Sequence, residues 1–379
     1  MTNKDIAKIY FQGNEIVALY QGSTLIFKKS GSVVPPSPKP TGTYIVRGTL
    51  KPDSREQNIQ LCVNGKREQF DVNDDKTFEY TFTNVPVTNM DYFTLACKDD
   101  LKTIDLANLD TSQVTSMIEA FFQCSNLTSI DLTNIDTSNV TNMYRMFYYC
   151  NRLTSLDVSK FDTSKVTNMD GMFQTCVNLT SLDVSNFDTS NVTNMGNMFN
   201  DCRRLESLDL SSFDTSKVTD MSYMFYDCER LETLDLSNFD TINVKSARQM
   251  ISFCPKLKTV DASNFDTRNL SDFNSMFCNC DELTTLYANI DFSKAYDDLN
   301  LFYSDHLLTN IVGRFSNIKQ SFFIESSPNL TVDSLMVIIN GLATVTEKRT
   351  LALSAKTYDS LTPEQIAIAT SKGWTVTRN

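Results

Sequence analysis

Seven cysteines recur at a fixed interval and are the first residues whose type and spacing could support chemistry. Six consecutive intervals of 26 residues separate Cys124, Cys150, Cys176, Cys202, Cys228, Cys254 and Cys280. Zinc sites place their cysteines about two to four residues apart, so this spacing predicts no metal site, and Cys278 with Cys280 is too sparse a pair to make one. The pattern predicts a ladder of buried thiols, which folding in a cytoplasm would keep free.

Two ladders of aspartates keep the same interval. They comprise Asp105, Asp131, Asp157, Asp183, Asp209, Asp235 and Asp261, and Asp110, Asp136, Asp162, Asp188, Asp214, Asp240 and Asp266. Carboxylates suit Ca²⁺, but no calcium-loop motif accompanies them. We expect the first ladder to project from a sheet face and bond to adjacent Ser/Thr or backbone groups, and the second to form turns and helix caps. No cofactor is predicted.

The chain has one histidine, which limits acid–base and metal chemistry. His306 follows Tyr303, Ser304 and Asp305 in a setting typical of a surface turn. With neither a phosphate loop nor an acidic pair in a recognisable setting, the sequence indicates a protein that is not an enzyme. The net charge of -12 and the pI of about 4.7 disfavour nucleic-acid partners. No apolar run approaches the ~18 residues of a membrane span, so membrane insertion is not expected.

The elements that must position these residues follow from the apolar pattern of one unit, residues 153–176. Its apolar side chains are first strand-like, at Leu153, Leu156 and Val158, and then recur every three or four residues, at Val166, Met169, Met172 and Phe173. The first half predicts a short strand, and the second predicts one face of a short helix. The sequence therefore predicts an α/β leucine-rich-repeat solenoid over residues 101–293, with parallel strands, short helices and a 26-residue period.

Residues 179–202, LTSLDVSNFDTSNVTNMGNMFNDC, resemble the BspA-like leucine-rich repeat, the 26-residue repeat of bacterial surface proteins. The resemblance covers about residues 101–293, half of the chain, and implies the solenoid fold. Such repeats occur in adhesins, lipoproteins and phage-encoded proteins alike, so the resemblance does not choose among these functions. Apolar replacements at Ala247, Ile251, Leu270 and Phe273 depart from the repeat near its end.

The segments on either side of the repeats have separate predictions. Residues 1–30 predict a β anchor of three short strands, at 6–11, 16–20 and 24–27, which is too small to bury its own core. The anchor side chains are Ile6, Ile9, Tyr10, Phe11, Ile16, Leu19, Tyr20, Leu25 and Phe27. Residues 31–42 predict a Pro-rich linker, 43–100 a small β domain with a hairpin turn at Asn64-Gly65, and 294–379 irregular repeats with a C-terminal cap. Within the cap, Thr362 to Gln365 have the spacing of a capping box and predict the start of a helix that ends at Gly373.

The two ends of the chain resemble the termini of virion proteins from tailed phages of gut Bacteroidales. The similar segments are IAKIYFQGNEIVALYQGSTLIFKK, residues 6–29, and LTPEQIAIATSKGW, residues 361–374. The resemblance implies a phage head or tail fibre, anchored to other virion proteins through the N-terminus and displaying a distal domain; by analogy with fibres, a homotrimer is favoured. No export signal opens the sequence, which agrees with assembly in the host cytoplasm. The alternative, a bacterial cell-surface adhesin or lipoprotein, would need one.

The positions that vary between repeats fall on the predicted helices and the turns after them. Tyrosine and arginine are enriched in binding hot spots. The candidate binding residues are Tyr144, Arg145, Tyr148, Tyr149, Arg203, Arg204, Tyr223, Tyr226 and Arg230. We expect specificity for a host surface protein or polysaccharide to lie on this helical side. The alternative is that these are scattered, solvated side chains.

Overall fold

The computed structural model describes residues 5–11, 14–21, 24–27, 43–83, 86–94 and 99–379. The chain divides into two compact units, Met1–Ile45 with Thr81–Pro86, and Val46–Tyr80 with Val87–Asn379. The Pro-rich linker predicted at 31–42 lies outside the described residues.

The first unit contains a three-stranded antiparallel sheet. Its strands are β1 (Asp5–Phe11), β2 (Asn14–Gln21) and β3 (Thr24–Phe27), in the order β1-β2-β3. β1 and β2 pair along their whole length, from Asp5 opposite Tyr20 to Phe11 opposite Asn14. The three strands predicted from the sequence are present, while the side chains of the predicted anchor residues lie outside the described part of the chain.

Short antiparallel strands, most of whose residues belong to the second unit, lead into the repeats. The strands are β4 (Thr43–Leu50), β5 (Asn58–Val63), β6 (Lys66–Asp71) and β7 (Thr77–Thr83). β5 and β6 form a hairpin whose turn residues, Asn64 and Gly65, have φ of 51° and 73°. Two positive φ values are typical of a type I′ turn, so the predicted hairpin turn is confirmed.

The repeats form a β-solenoid of about 11 turns, spaced about 25 residues apart. β8 (Leu101–Asp105) pairs antiparallel with β4 and parallel with β9 (Ser129–Ile130). Further along, β10 (Thr233–Asp235), β11 (Thr259–Ala262), β12 (Thr285–Asp291) and β13 (Asn310–Ser316) form one parallel sheet. Thr233 pairs with Thr259, and Thr259 with Thr285, so equivalent residues of successive coils are neighbours.

The prediction of a short helix in every repeat is wrong, because residues 101–293 contain turns where those helices were expected. The N–H groups of Met117, Glu119 and Phe121 donate to carbonyl oxygens of the next coil, over 2.8 to 3.0 Å. In an α-helix they would donate to the residue four positions back. The backbone hydrogen bonds therefore join coils instead of closing a helix.

Left-handed backbone at two positions of each turn segment also excludes a helix. Arg145 and Tyr149 have φ of 51° and 61°, and the equivalent residues of the following coils, through Ser275 and Asn279, are also positive. An α-helix needs negative φ throughout. Gly171 is the one glycine at these positions, so the chain adopts this backbone mostly with residues that carry a Cβ.

Every coil buries an equivalent apolar set. The rings of Phe121, Phe147, Phe173, Phe199 and Phe225 stack, with neighbouring centroids 5.4 to 6.0 Å apart. The four apolar replacements noted in the sequence are equally buried, at Ala247, Ile251, Leu270 and Phe273. Burial of these stacked ladders between coils is the main source of stability, since one coil cannot cover its own apolar face.

The C-terminal residues form a cap with helices and a separate sheet. The strands are β14 (Phe322–Phe323), β15 (Arg349–Leu353) and β16 (Trp374–Arg378), and the helices are α1 (Val332–Gly341), α2 (Ala355–Asp359) and α3 (Pro363–Ser371). Thr362 and Gln365 form a capping box at the start of α3, and Gly373, with φ of 88°, follows its end. The helix predicted after Thr362 is confirmed.

Candidate binding surface

The turn segments stack side by side and make one face of the solenoid, which we call the ladder face. It consists of residues 116–123, 142–149, 168–175, 194–201, 220–227, 246–253 and 272–279. The segments are joined by hydrogen bonds from each coil to the next. Because this backbone is fixed by its neighbours, side chains on the face are presented from a firm support.

Four candidate residues of one coil lie beside Phe122 of the preceding coil. We call these five residues the first aromatic cluster: Phe122, Tyr144, Arg145, Tyr148 and Tyr149. The Arg145 guanidinium carbon lies 4.9 Å from the centroid of the Tyr144 ring and 5.2 Å from that of Tyr148. Tyr148 also stacks on Phe122, at 4.9 Å between centroids. The cluster combines aromatic surface with a cation held over two ring faces, which is typical of binding hot spots.

Electrostatics at this cluster follow from partial burial. Burial raises the pKa of the Tyr144 hydroxyl, and the positive charge of Arg145 opposes that rise. Arg145 Nε is buried without a hydrogen-bond partner among the described residues. Tyr149 remains 39% exposed. The cluster therefore offers both an open ring and a donor that lacks an acceptor.

Two further candidates lie in a second aromatic cluster, Tyr223, Tyr226, Arg248 and Phe253. The Tyr223 and Tyr226 rings meet edge to face at 5.7 Å, and Tyr226 lies 5.1 Å from Phe253. Arg248 Nε donates to the Tyr223 hydroxyl over 3.0 Å. Arg248 and Phe253 are not predicted from the sequence, because each is a lone polar or aromatic replacement within its repeat.

Two of the three remaining arginines pair with acidic side chains. Arg203 pairs with Asp201, Asp227 and Glu229. Burial raises the pKa of Asp227 to about 6, against the attraction of Arg203.

Arg230 does not join Tyr226 in the second aromatic cluster. It pairs with Glu206, at 3.7 Å between nitrogen and oxygen, and Arg204 is exposed. Six of the nine candidates therefore lie in the two aromatic clusters, and the other three, Arg203, Arg204 and Arg230, lie apart from them.

Between the two clusters lie side chains that we call the polar strip, Asp170, Gln174, Asn197 and Asn200. Asn197 donates to Asp170 over 3.1 Å, and Asn200 donates to Asn197 over 3.0 Å. Burial raises the pKa of Asp170, while Asn197 and Arg145 oppose the rise. The sequence gives no signal for this strip, because asparagine and aspartate occur throughout the repeats and only the stacking brings these four together.

The aspartate ladders have structural roles. Asp131 accepts a hydrogen bond from Thr133 N over 2.9 Å, and Asp136 accepts one from Ser138 N over 2.9 Å. The bonds from Thr133 lower the pKa of the exposed Asp131 carboxyl. The first ladder thus closes turns within its own coils through both kinds of bond expected, from backbone N–H groups and from the hydroxyls of adjacent residues such as Thr133 and Ser185. The second forms turns as predicted, with no helix to cap.

The cysteine ladder is buried, as predicted, and its members are free thiols. Cys176 Sγ donates to the Phe147 carbonyl over 3.2 Å, and the same bond recurs between other coils, for example from Cys202 to Phe173. Burial raises the pKa of Cys176 to about 12. Burial likewise raises the pKa of Cys150 and Cys202, so these three thiols are protonated at neutral pH and are not poised as nucleophiles or metal ligands.

His306 is exposed, and its Nδ1 lies 3.1 Å from the Ser326 carbonyl oxygen. The position agrees with the predicted surface turn. Within the described residues, no group of three or more His, Cys, Asp or Glu side chains is arranged to hold a metal ion. No helix in the same part of the chain is long and apolar enough to span a membrane.

Comparison with known proteins places the repeats in a family. The family described as "Mycoplasma protein of unknown function, DUF285" matches three times in tandem, at residues 65–180, 153–260 and 209–314. The matches together cover residues 65–314, about two thirds of the 379 residues. Searches of curated proteins and of solved structures gave no match. The chain belongs to the DUF285 family of tandem-repeat proteins.

Proposed function

We propose that this protein is a non-enzymatic attachment protein whose ladder face binds the surface of a host cell. The observation that carries the proposal is the pair of aromatic clusters on that face. Tyr148 and Tyr149 of one cluster, and Tyr226 of the other, lie on a backbone whose hydrogen bonds are made between coils. Rigid aromatic side chains bind at a low entropic cost.

The residues that hold the coils together differ from those that are available to bind a partner. The equivalent Asp, Thr, Phe and Cys residues of each coil are used in turns and core, and the ladder face carries the residues that differ between coils. A repeat scaffold that varies one face is suited to binding an extended partner. This division is what an attachment protein requires.

The proposed location is a phage virion, as a head or tail fibre. The similarity of residues 6–29 and 361–374 to virion-protein termini supports it. The antiparallel sheet β1-β2-β3 gives the N-terminus a form in which it can pack on other virion proteins. A homotrimer is the proposed assembly, by analogy with fibres.

The attachment proposal is tested by adsorption of the full-length protein to host cells. We expect Tyr148→Ala with Tyr149→Ala to weaken binding about tenfold or more, as loss of hot-spot residues does. Tyr287→Ala is the matched control, because Tyr287 is also 39% exposed but lies in β12, away from the ladder face. Unchanged adsorption of the double variant, with folding confirmed by thermal unfolding, would contradict the proposal.

The location has its own test. A chain lacking residues 1–42 is expected to remain soluble and folded but to be absent from assembled particles, because the proposed anchor is removed. Incorporation of the shortened chain at the level of the full chain would show that the N-terminus is not the anchor.

A further inference from the structure

The polar strip and the two aromatic clusters form a continuous surface across six neighbouring coils. We propose that together they bind a neutral oligosaccharide. This inference rests on the proposed attachment function and names the class of ligand for the ladder face.

Recognition on this face must go through side chains, because the backbone is already paired. Gly171 N donates to the Gly196 carbonyl over 2.8 Å, and Thr175 N donates to the Asn200 carbonyl over 2.7 Å. An extended peptide binds a sheet by pairing with free backbone groups at an edge. The ladder face does not offer that edge, so the side chains of the strip determine the ligand.

The strip offers planar groups that both donate and accept. Asp170, Asn197 and Asn200 are linked in one hydrogen-bonded row, and Asp170 Oδ2 has only a 3.5 Å contact with Asn194 Nδ2. A carboxylate or carboxamide can bond two hydroxyls at once, and each hydroxyl can donate and accept. Neighbouring sugar hydroxyls match such a row better than the isolated polar groups of an apolar ligand.

At the junction of the strip and the first cluster, two buried polar atoms lack partners among the residues that the structure describes. They are Arg145 Nε and Gln174 Oε1. Both lie beside Gly171, where a Cβ would be 3.7 Å from the first atom, 3.0 Å from the second and 2.9 Å from Arg145 Cγ, so an atom entering there must displace the flexible Arg145 side chain. A buried polar atom without a bond is costly. A hydroxyl that inserts between the Arg145 side chain and the Gln174 carboxamide would accept from one and donate to the other.

The aromatic clusters supply apolar contacts at both ends of the strip. Tyr148 and Tyr226 are three coils apart, which at ~4.8 Å per strand spacing is ~14 Å. The C–H faces of sugar rings can stack on tyrosine rings while the ring hydroxyls reach polar neighbours. Contact with both clusters requires a chain of sugars instead of a single one.

The charge of the surroundings selects against acidic glycans. Glu119 and Asp170 lie close enough to Tyr144 to raise the pKa of its hydroxyl against the opposing charge of Arg145, and Asp201 and Asp227, which share Arg203, flank the strip on the other side. The protein carries a net charge of -12. Repulsion of like charges makes an uncharged saccharide the preferred ligand over one bearing uronic acids.

The test measures binding of the full-length protein to neutral and to uronic-acid-containing oligosaccharides on an array, followed by calorimetry. We expect binding to a neutral oligosaccharide, weakened about tenfold by Gln174→Ala or by Asn197→Ala. Asn274→Ala is the control, because Asn274 is also half-buried on the ladder face but lies outside the strip. The same free oligosaccharide is expected to compete with adsorption to host cells.

The outcomes separate this inference from the proposed function. One outcome would overturn the saccharide inference and leave the attachment proposal intact. In it, adsorption to cells depends on Tyr148 and Tyr149 and is abolished by protease treatment of the cells, but no saccharide inhibits it. Preference for uronic acids would also overturn the inference. Saccharide binding without any adsorption to cells would support the saccharide inference and overturn the attachment proposal. Absence of saccharide binding and of adsorption would overturn the inference and the proposal.

Discussion

At the scale of single residues, the solenoid depends on side chains that tolerate left-handed backbone. Arg145, Thr175 and Asp201 all have φ between 51° and 62°. Most residues pay about 1–2 kcal/mol for that conformation, and the cost is largest for a β-branched residue. Thr175 is therefore the most strained of these three positions.

Replacing Thr175 by asparagine is expected to stabilise the protein by about 1 kcal/mol, because asparagine enters the left-handed region more easily. The midpoint of thermal unfolding measures the effect. Thr154→Asn is the control, since Thr154 is exposed and has no positive φ. If the unfolding temperature of Thr175→Asn does not exceed that of the parent protein, the positive φ of Thr175 carries no strain.

The residue scale is also where the sequence was most informative. The 26-residue spacing of the cysteines correctly placed Cys176 and its equivalents in the core, because burial of an apolar ladder requires in-register copies. It could not place Asp170 beside Asn197. That contact joins residues of different coils whose types are common everywhere in the repeat, and only the stacking selects them.

At the scale of elements, a ladder of buried threonines joins the turns of successive coils. Thr189 Oγ1 donates to the Asp214 carbonyl over 2.9 Å and accepts from Asp214 N over 2.8 Å. Equivalent threonines repeat both bonds in other coils, for example Thr137 with Asp162. Each hydroxyl thus satisfies backbone groups that would otherwise be buried without partners.

Thr189→Val keeps the shape of the side chain and removes both bonds. We expect a loss of about 2–3 kcal/mol in the free energy of unfolding, because an N–H and a carbonyl are left unpaired. Thr193→Val should cost under about 1 kcal/mol, since Thr193 is exposed and donates one bond to the Thr167 carbonyl. Chemical denaturation of the two variants measures both values. Equal losses would show that the buried ladder has no special role.

The helices expected in each repeat illustrate what a single repeat cannot predict. The spacing of Val166, Met169, Met172 and Phe173 fits one face of a helix, and all four are buried. The same spacing also fits a run of tight turns. The choice depends on the next coil, whose carbonyl groups accept the backbone N–H groups, and a pattern within one unit does not contain that partner. The capping box at Thr362, in contrast, is local and was predicted correctly.

At the scale of the whole molecule, the buried thiols make the stability of the second unit depend on pH. Burial raises the pKa of Cys176 to about 12, and that of Cys150 and Cys202 well above the ordinary value. Unfolding exposes them, and their pKa returns to about 8.5. Between about pH 9 and 12 the unfolded chain therefore loses protons that the folded chain keeps.

The thiol contribution to stability is complete below about pH 8.5 and is lost as the pH rises toward 12. Each such thiol adds a slope of up to about 1.4 kcal/mol per pH unit in this range. Denaturation between pH 8 and 11 should show this fall, and Cys176→Ala should have a shallower slope than the parent protein whatever its absolute stability. An identical slope in both proteins would mean that Cys176 does not hold its proton in the fold.

Display of the solenoid by a virion is the central functional claim. The most direct test is cryo-electron microscopy of phage particles purified from the microbial community in which the gene for this chain occurs. We expect density for this chain on the particle, with residues 1–30 packed against capsid or tail proteins and the ladder face open to the outside. Finding the protein only on bacterial envelopes, and absent from particles, would contradict the claim and favour a cell-surface adhesin.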